Sequence, residues 1–350
     1  MIIGTCGFCS TGSSAVSDYL KEFEENQVLD DIEFVFPYLP DGLEDLEYHL
    51  TKSISRDESS AVAFTRFRRF MKFHKNEVVI NTSIESAEYD KIVEDFISSL
   101  VQMRWTGVRR SDGLLFYNYL YRRVGLSLMQ QRVIPFINSK FKKCVDLYPH
   151  RELELSVMPE NFTEAARHFV SSLLLAMGAD FSRNIVLDQP FTGDDPVKSF
   201  HFFEEPIAFV VDRDPRDNYI FAREFLYKKD KYMPIETVES FVKYYALLRD
   251  NRPYKLHNDK VMRLHFEDLV YNYDATTKKI REFCKLPENK RPQTIFRPER
   301  SMANTQLFRR FPKYAKDVKY IEKELEDYLF DFSKYKASNL NGQMFMGKAT

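Results

Sequence analysis

The chain reads as an α/β protein built on a central parallel sheet flanked by helices, and three observations predict it. Residues 1–16 read as strand, tight loop and helix. Three later β-type runs, at residues 184–187, 207–211 and 261–266, each end in polar residues. Helical patterns lie between and after them. Apolar strands that alternate with helices and finish in polar groups are the pattern of a parallel sheet whose carboxyl edge carries ligand groups.

The first element is the most informative. A short apolar run reaches the loop Cys6-Gly7-Phe8-Cys9-Ser10-Thr11-Gly12-Ser13-Ser14-Ala15, after which Val16, Tyr19, Leu20 and Phe23 recur at helical spacing. Gly7 and Gly12 are expected to take backbone angles that side chains forbid, turning the loop's N–H groups toward one anionic oxygen cluster. The expected architecture is therefore three-layer and P-loop-like. Set against G-x-x-x-x-G-K-[ST], Gly7, Gly12 and Ser14 fall in register, but Ser13 stands where a lysine would reach the β and γ phosphates. A magnesium-dependent ATPase or kinase is disfavoured on that ground.

Composition bounds the rest. At 350 residues with a formal net charge of −1, the chain can bury a full core, and it has no global basic charge for non-specific nucleic-acid binding. Its 31 Phe and 20 Tyr are read first as core filling. No basic-then-apolar leader pattern and no window near ~18 continuous apolar residues is present, so the expectation is a cytoplasmic protein without a membrane span. Four cysteines argue against a disulfide scaffold. Cys6 and Cys9 have redox-pair spacing but are read as small buried loop thiols, and Cys144 and Cys284 are too isolated to complete a zinc site. No metal is expected.

Along the chain, residues 27–37 read as a second strand carrying Asp30, Asp31 and Glu33, expected beside the first strand and opening on the same crevice. The whole of 1–350 is expected to be one domain, with residues 41–160 a helix-rich insertion on the acceptor side. There Ile92, Val93, Phe96, Ile97, Leu100 and Val101 make an amphipathic stripe. Arg66, Arg68, Arg69, Arg104, Arg109, Arg110, Arg122 and Arg123 cluster among aromatics, individually as solvated helix faces and collectively as a groove for an acidic or sugar-rich acceptor. A helix opens at Asn161-Phe162-Thr163-Glu164, and another is expected from Pro234, with Val238, Phe241, Val242 and Tyr245 on one face. Strand 207–211 delivers Arg213 and, after a proline turn, Arg216 toward the crevice, to grip a ligand with two anionic groups; the alternative is a structural ion pair with Asp214 or Asp217.

With these residues in view, the sequence resembles the PAPS-dependent sulfotransferases, particularly the carbohydrate and bacterial glycan types. Their 5′-phosphosulfate loop looks like Ser10-Thr11-Gly12-Ser13-Ser14-Ala15-Val16, with Gly7 and Cys9 before it. Their strand followed by R-[DN]-P-x-D matches Arg213-Asp214-Pro215-Arg216-Asp217, and their strand-plus-helix with Glu-Asp-Leu matches residues 261–283. A late nucleotide-closing loop resembles Arg297-Pro298-Glu299-Arg300-Ser301-Met302-Ala303-Asn304, which nominates Ser301 and Asn304. The resemblance departs at Ser10, where the family usually carries Lys or Arg, and at Phe221, where it usually carries Ser.

The resemblance implies transfer of a sulfuryl group from PAPS (3′-phosphoadenosine 5′-phosphosulfate) to a hydroxyl or amine of a glycan or other small acceptor, leaving PAP, without a metal. Such transfer needs in-line positioning, electrostatic relief on the departing phosphate and a base for the acceptor proton. Glu33 is the preferred base, because its apolar neighbours raise its pKa; Asp188 is the alternative, and His265 is read as a core histidine. A P-loop small-molecule kinase and a non-catalytic nucleotide- or glycan-binding protein remain the rival readings.

Overall fold

A computed structural model describes residues 1–52, 58–107, 132, 134–141, 150–226 and 232–336. Arg109, Arg110, Arg122, Arg123 and Cys144 lie outside the described residues. The chain divides into two compact units, one of Met1–Tyr38, Glu77–Ile84 and Val170–Thr350, the other of Leu39–Asn76 and Glu85–Phe169. The strands are β1 (Ile2–Gly7), β2 (Asn26–Glu33), β3 (Met103–Gly107), β4 (Arg151–Leu155), β5 (Asn184–Asp188), β6 (Pro206–Asp212) and β7 (Val261–His265). No described helix is long and apolar enough to cross a membrane.

The first unit is an α/β layer structure around a five-stranded sheet in the order β2-β5-β1-β6-β7, with every pair parallel. The expectation that β2 lies beside β1 is corrected, because β5 lies between them. Burial explains the order. Ile185, Val186 and Leu187 of β5 are fully buried, as a strand covered on both faces requires, whereas β2 is mostly half-exposed and suits an edge. Parallel strands all present their carboxyl ends on one side, so the segments after β1, β2, β5, β6 and β7 converge there.

Helix α1 (Ser14–Leu20) follows β1 and packs Val16, Tyr19 and Leu20 into a core with Ile3, Val186, Phe209, Leu264 and Ile280. Helix α2 (Pro215–Phe221) follows β6. Asp214 caps it, its carboxylate accepting from Arg216 N at 2.9 Å, and Pro215 occupies the first turn, where its missing N–H is not needed. Helix α3 (Val238–Arg249) begins four residues later than Pro234 predicts, because Thr237 Oγ1 accepts from Ser240 N and sets the start. Its Val238, Phe241, Val242 and Tyr245 are buried as the spacing predicts.

The second unit holds the antiparallel pair β3–β4 and the helix Ser86–Leu100. Phe67, Phe96, Phe162 and Phe169 form its ring-packed interior, with Phe96 stacked on Phe169 at 4.6 Å between centroids. Three of its described arginines are committed within the unit. Arg66 pairs with Asp41 and Asp45, Arg68 with Glu94 and Glu154, and Arg104 with Glu154.

Candidate active site

The carboxyl ends of the first unit's strands surround a cavity of about 700 Å³. One wall is the loop between β1 and α1. It closes on itself through Thr11, whose Oγ1 accepts from Phe8 N at 3.0 Å and donates to Phe8 O at 2.7 Å. Beneath it, Phe8 is held by the guanidinium of Arg249, 3.8 Å from the ring centroid, which is paired in turn with Asp212. The two glycines act differently from the expectation. Only Gly12 has a positive φ, 91°, and a Cβ there would lie 2.8 Å from Phe266. Gly7 is required by space alone, since a Cβ would strike Thr11 and sit 2.8 Å from Val211 O. The second left-handed residue of the loop is Ser10, at φ 62°.

The loop's carbonyl groups are taken from below. Arg213 donates to Ser10 O at 3.0 Å, and Asn218 Nδ2 donates to Cys9 O and Ser10 O at 3.0 and 3.2 Å. The N–H groups of Ser10, Gly12, Ser13 and Ser14 are given no acceptor among the described residues, and all four residues line the cavity. This is the donor arrangement that an anionic oxygen cluster would satisfy.

Arg213 is 3 % exposed, lies between the rings of Phe221 and Phe266, and also donates to Asn304 O. Burial lowers its pKa, against the nearby charges of Asp217, Glu267 and Asp214. Its Nε is buried without a partner. Phe221, the position at which the resemblance expects Ser, thus supplies an aromatic face to Arg213. Arg213 ties the early loop to the late segment, and Asp217 fastens the same segment by accepting from Gln306 N at 2.5 Å and Phe308 N at 3.3 Å.

Arg216 is placed elsewhere. It is absent from the cavity lining, and its guanidinium is bidentate to Asp214, bonded to Glu322 at 3.0 Å and stacked 4.1 Å from the ring centroid of Phe308. The ion-pair alternative describes it, because the helix begun by Pro215 turns its side chain away from the sheet edge. The expectation that Arg213 and Arg216 share the crevice is therefore corrected for Arg216.

Glu33 and Asp188 line the same cavity and are direct register partners across β2 and β5 after a bulge between Leu29 and Glu33. Asp188 is pushed up to about 7, first by burial and then by the charges of Glu33 and Asp30. Glu33 is raised as well, by burial and then by Glu77. Asp188 Oδ1 is buried without a hydrogen-bond partner.

Gly7, Cys9, Ser10, Thr11, Gly12, Ser13, Ser14, Ala15, Glu33, Asp188, Arg213, Ser301 and Asn304 are thus brought around one cavity. Among the lining residues that sequence reasoning passed over are Tyr38, Gln189, Tyr232, Arg297 and Arg300. Gln189, at φ 50°, follows Asp188 and donates from Nε2 to Ser13 Oγ at 2.9 Å. The side chains of Arg297 and Arg300 are exposed and have no hydrogen-bond or ion-pair partner among the described residues. Their cue was the arginine spacing within the late segment. Cys9 lines the cavity with its thiol pKa raised by burial, the reverse of a reactive redox thiolate, and Cys6 is fully buried. His265 Nδ1 is buried without a hydrogen-bond partner, 4.0 Å from Glu267, so the histidine is not satisfied in the manner expected.

No protein-family model and no curated protein matches the chain. Among solved structures, a sulfotransferase domain from the curacin biosynthetic pathway is similar at 11% identity and a TM-score of 0.35, over 83% of this chain and 75% of that one. Sulfotransferase STF9 from Mycobacterium avium is similar at 10% identity and a TM-score of 0.35, over 98% of this chain and 78% of that one. Likenesses at this level carry no functional argument.

Proposed function

We propose that the protein is a cytoplasmic enzyme that transfers a sulfuryl group from PAPS to a hydroxyl or amine of a carbohydrate acceptor. The observation that carries this reading is the joining, in one cavity, of a lysine-free N–H cradle, a buried arginine with an unpartnered Nε, and two carboxyl groups with raised pKa. The donor set fits the nucleotide. The loop N–H groups of Ser10, Gly12, Ser13 and Ser14 would receive the phosphosulfate oxygens, while Arg213 supplies fixed positive charge behind the loop. Arg297 and Arg300 are available for a second anionic group, the role that sequence analysis gave to Arg216. The rings of Tyr38 and Tyr232 offer flat apolar faces to a sugar.

The chemistry balances without further reactants. The acceptor oxygen or nitrogen bonds to sulfur, the bridging sulfur–oxygen bond breaks with its electron pair going to the 5′-phosphate, and the acceptor proton passes to a cavity carboxylate. Preorganised N–H groups answer the charge that develops on the phosphate, and the carboxylate removes the proton that would otherwise stop transfer. Calorimetric titration of PAP in EDTA tests the reading. Metal-independent binding that is lost in Arg213→Ala and Gly12→Asp is expected. No PAP binding, with ATP or GTP binding restored by magnesium, would replace it with phosphotransfer.

A further inference from the structure

Sequence analysis treats Glu33 and Asp188 as competing candidates for one base, but the sheet makes them neighbours. Register partners on adjacent parallel strands carry their side chains on the same face, with backbones ~4.8 Å apart, and both residues line the cavity. No hydrogen bond or ion pair of either carboxyl group with a described cation competes for that space. Two carboxylates so placed, Asp188 half-buried and Glu33 more exposed beside it, influence each other's ionisation, so the first proton lost belongs to the pair.

We propose that Glu33 and Asp188 form one electrostatically coupled unit, in which Asp188 removes the acceptor's proton and Glu33 is the positioning residue whose charge holds Asp188 ready for it. The inference rests on the sulfuryl-transfer reading for its chemistry. In the resting state the pair carries one proton, the coupling acting through charge because Asp188 Oδ1 has no hydrogen-bond partner. As the acceptor approaches, Asp188 takes the acceptor proton while the acceptor atom bonds to sulfur and PAP departs with the electron pair of the broken bond. The extra proton then leaves to water. Asp188 is the member that acts because it ends the strand next to β1, whose loop would hold the sulfuryl group. The groups facing the pair are Asp30 and Lys21, which are paired with each other, Cys6 on β1, Cys9 in the loop after it, Tyr38 after β2, and Glu77. Lys21 is engaged by Asp18 as well, so its charge offsets those acids and leaves the pair without a counter-ion of its own.

The test is a carbon-13 carboxyl titration of the whole protein labelled at aspartate, which uses no nucleotide. The Asp188 resonance is identified by its loss in Asp188→Glu, where the label is no longer incorporated. In the wild type it should titrate near 7. In Glu33→Gln it should move down by about one unit or more, and in Glu33→Asp, which keeps the charge but withdraws it, by less. An unchanged midpoint in both Glu33 variants, or a wild-type midpoint in the ordinary carboxylate range, would overturn the pairing. Failure of PAP to bind would instead overturn the transfer chemistry and leave the titration standing, so the two outcomes are separable.

Discussion

At Gly12 two demands coincide: φ is 91°, and a Cβ would come within 2.8 Å of Phe266. Gly12→Ala should therefore destabilise the fold by roughly 1–3 kcal/mol and weaken PAP binding at least tenfold, read by urea unfolding and calorimetry. Adding Phe266→Leu should recover the steric part but not the part due to backbone angle, so incomplete rescue of stability is the expected result. The residue scale also shows what was legible and what was not. Gly12, Ser14 and Arg213 could be read from spacing, because a strand, a short loop and a helix leave few places for a side chain to go. Gly7 was identified for a different reason from the one that holds, since crowding by Thr11 and Val211 is a tertiary fact. Arg216 could not be separated from Arg213 by motif alone, because a single proline-started helical turn decides which of them faces the sheet edge.

The late segment that carries Arg297 and Arg300 is positioned from an element far away in sequence. Glu22, two residues beyond α1 and 2 % exposed, accepts from Ile295 N at 3.0 Å, Phe296 N at 3.2 Å, Gln293 N at 3.2 Å and Asn289 Nδ2 at 2.6 Å. A carboxylate that satisfies four donors acts as a clamp. Glu22→Ala should leave three backbone amides unpaired, costing about 2–4 kcal/mol, and hydrogen exchange should rise at Gln293, Ile295 and Phe296 before it rises in β1. If Arg297 and Arg300 grip the nucleotide, PAP affinity should fall in step; unchanged affinity in a folded Glu22→Ala would remove them from the site. No periodicity announces Glu22, which reads as one charged residue among Lys21, Glu24 and Glu25. Strand existence was legible from apolar runs, whereas the insertion of β5 between β1 and β2 was not, because strand order is set by which strand can be covered on both faces. The carboxylate pair was hidden for the same reason: two candidate acids far apart in sequence become neighbours only once that order is known.

Over the molecule as a whole, the carboxyl ends of the first unit's strands concentrate carboxyl groups whose pKa is raised. Asp188 is raised to about 7, and Glu33, Asp217 and Glu267 are raised by burial, Asp217 and Glu267 also by Asp214, and Glu267 by Asp217. Each binds a proton in the folded state that the unfolded chain has already released at the same pH. The stabilisation is therefore fully present below the unfolded value near 4 and is lost as pH rises through the folded value, which for Asp188 means the window from about 4 to about 7. Glu154 works in the opposite sense: Arg68 and Arg104 hold its pKa down despite its burial, so its contribution is present above the unfolded value and lost on acidification. Urea unfolding should accordingly give greatest stability in mildly acidic solution and a decline toward pH 8. Asp188→Asn cannot ionise, so it should flatten that decline and be more stable than the wild type at pH 8 by about 1–3 kcal/mol, while matching it near pH 4. On the proposed reading the same substitution should abolish sulfuryl transfer, so the site would be kept at the expense of stability at the pH where its base must ionise. A wild-type and Asp188→Asn pair with parallel stability profiles would show instead that Asp188 titrates as an ordinary carboxyl group, and it would remove the electrostatic basis for placing the base at the end of β5.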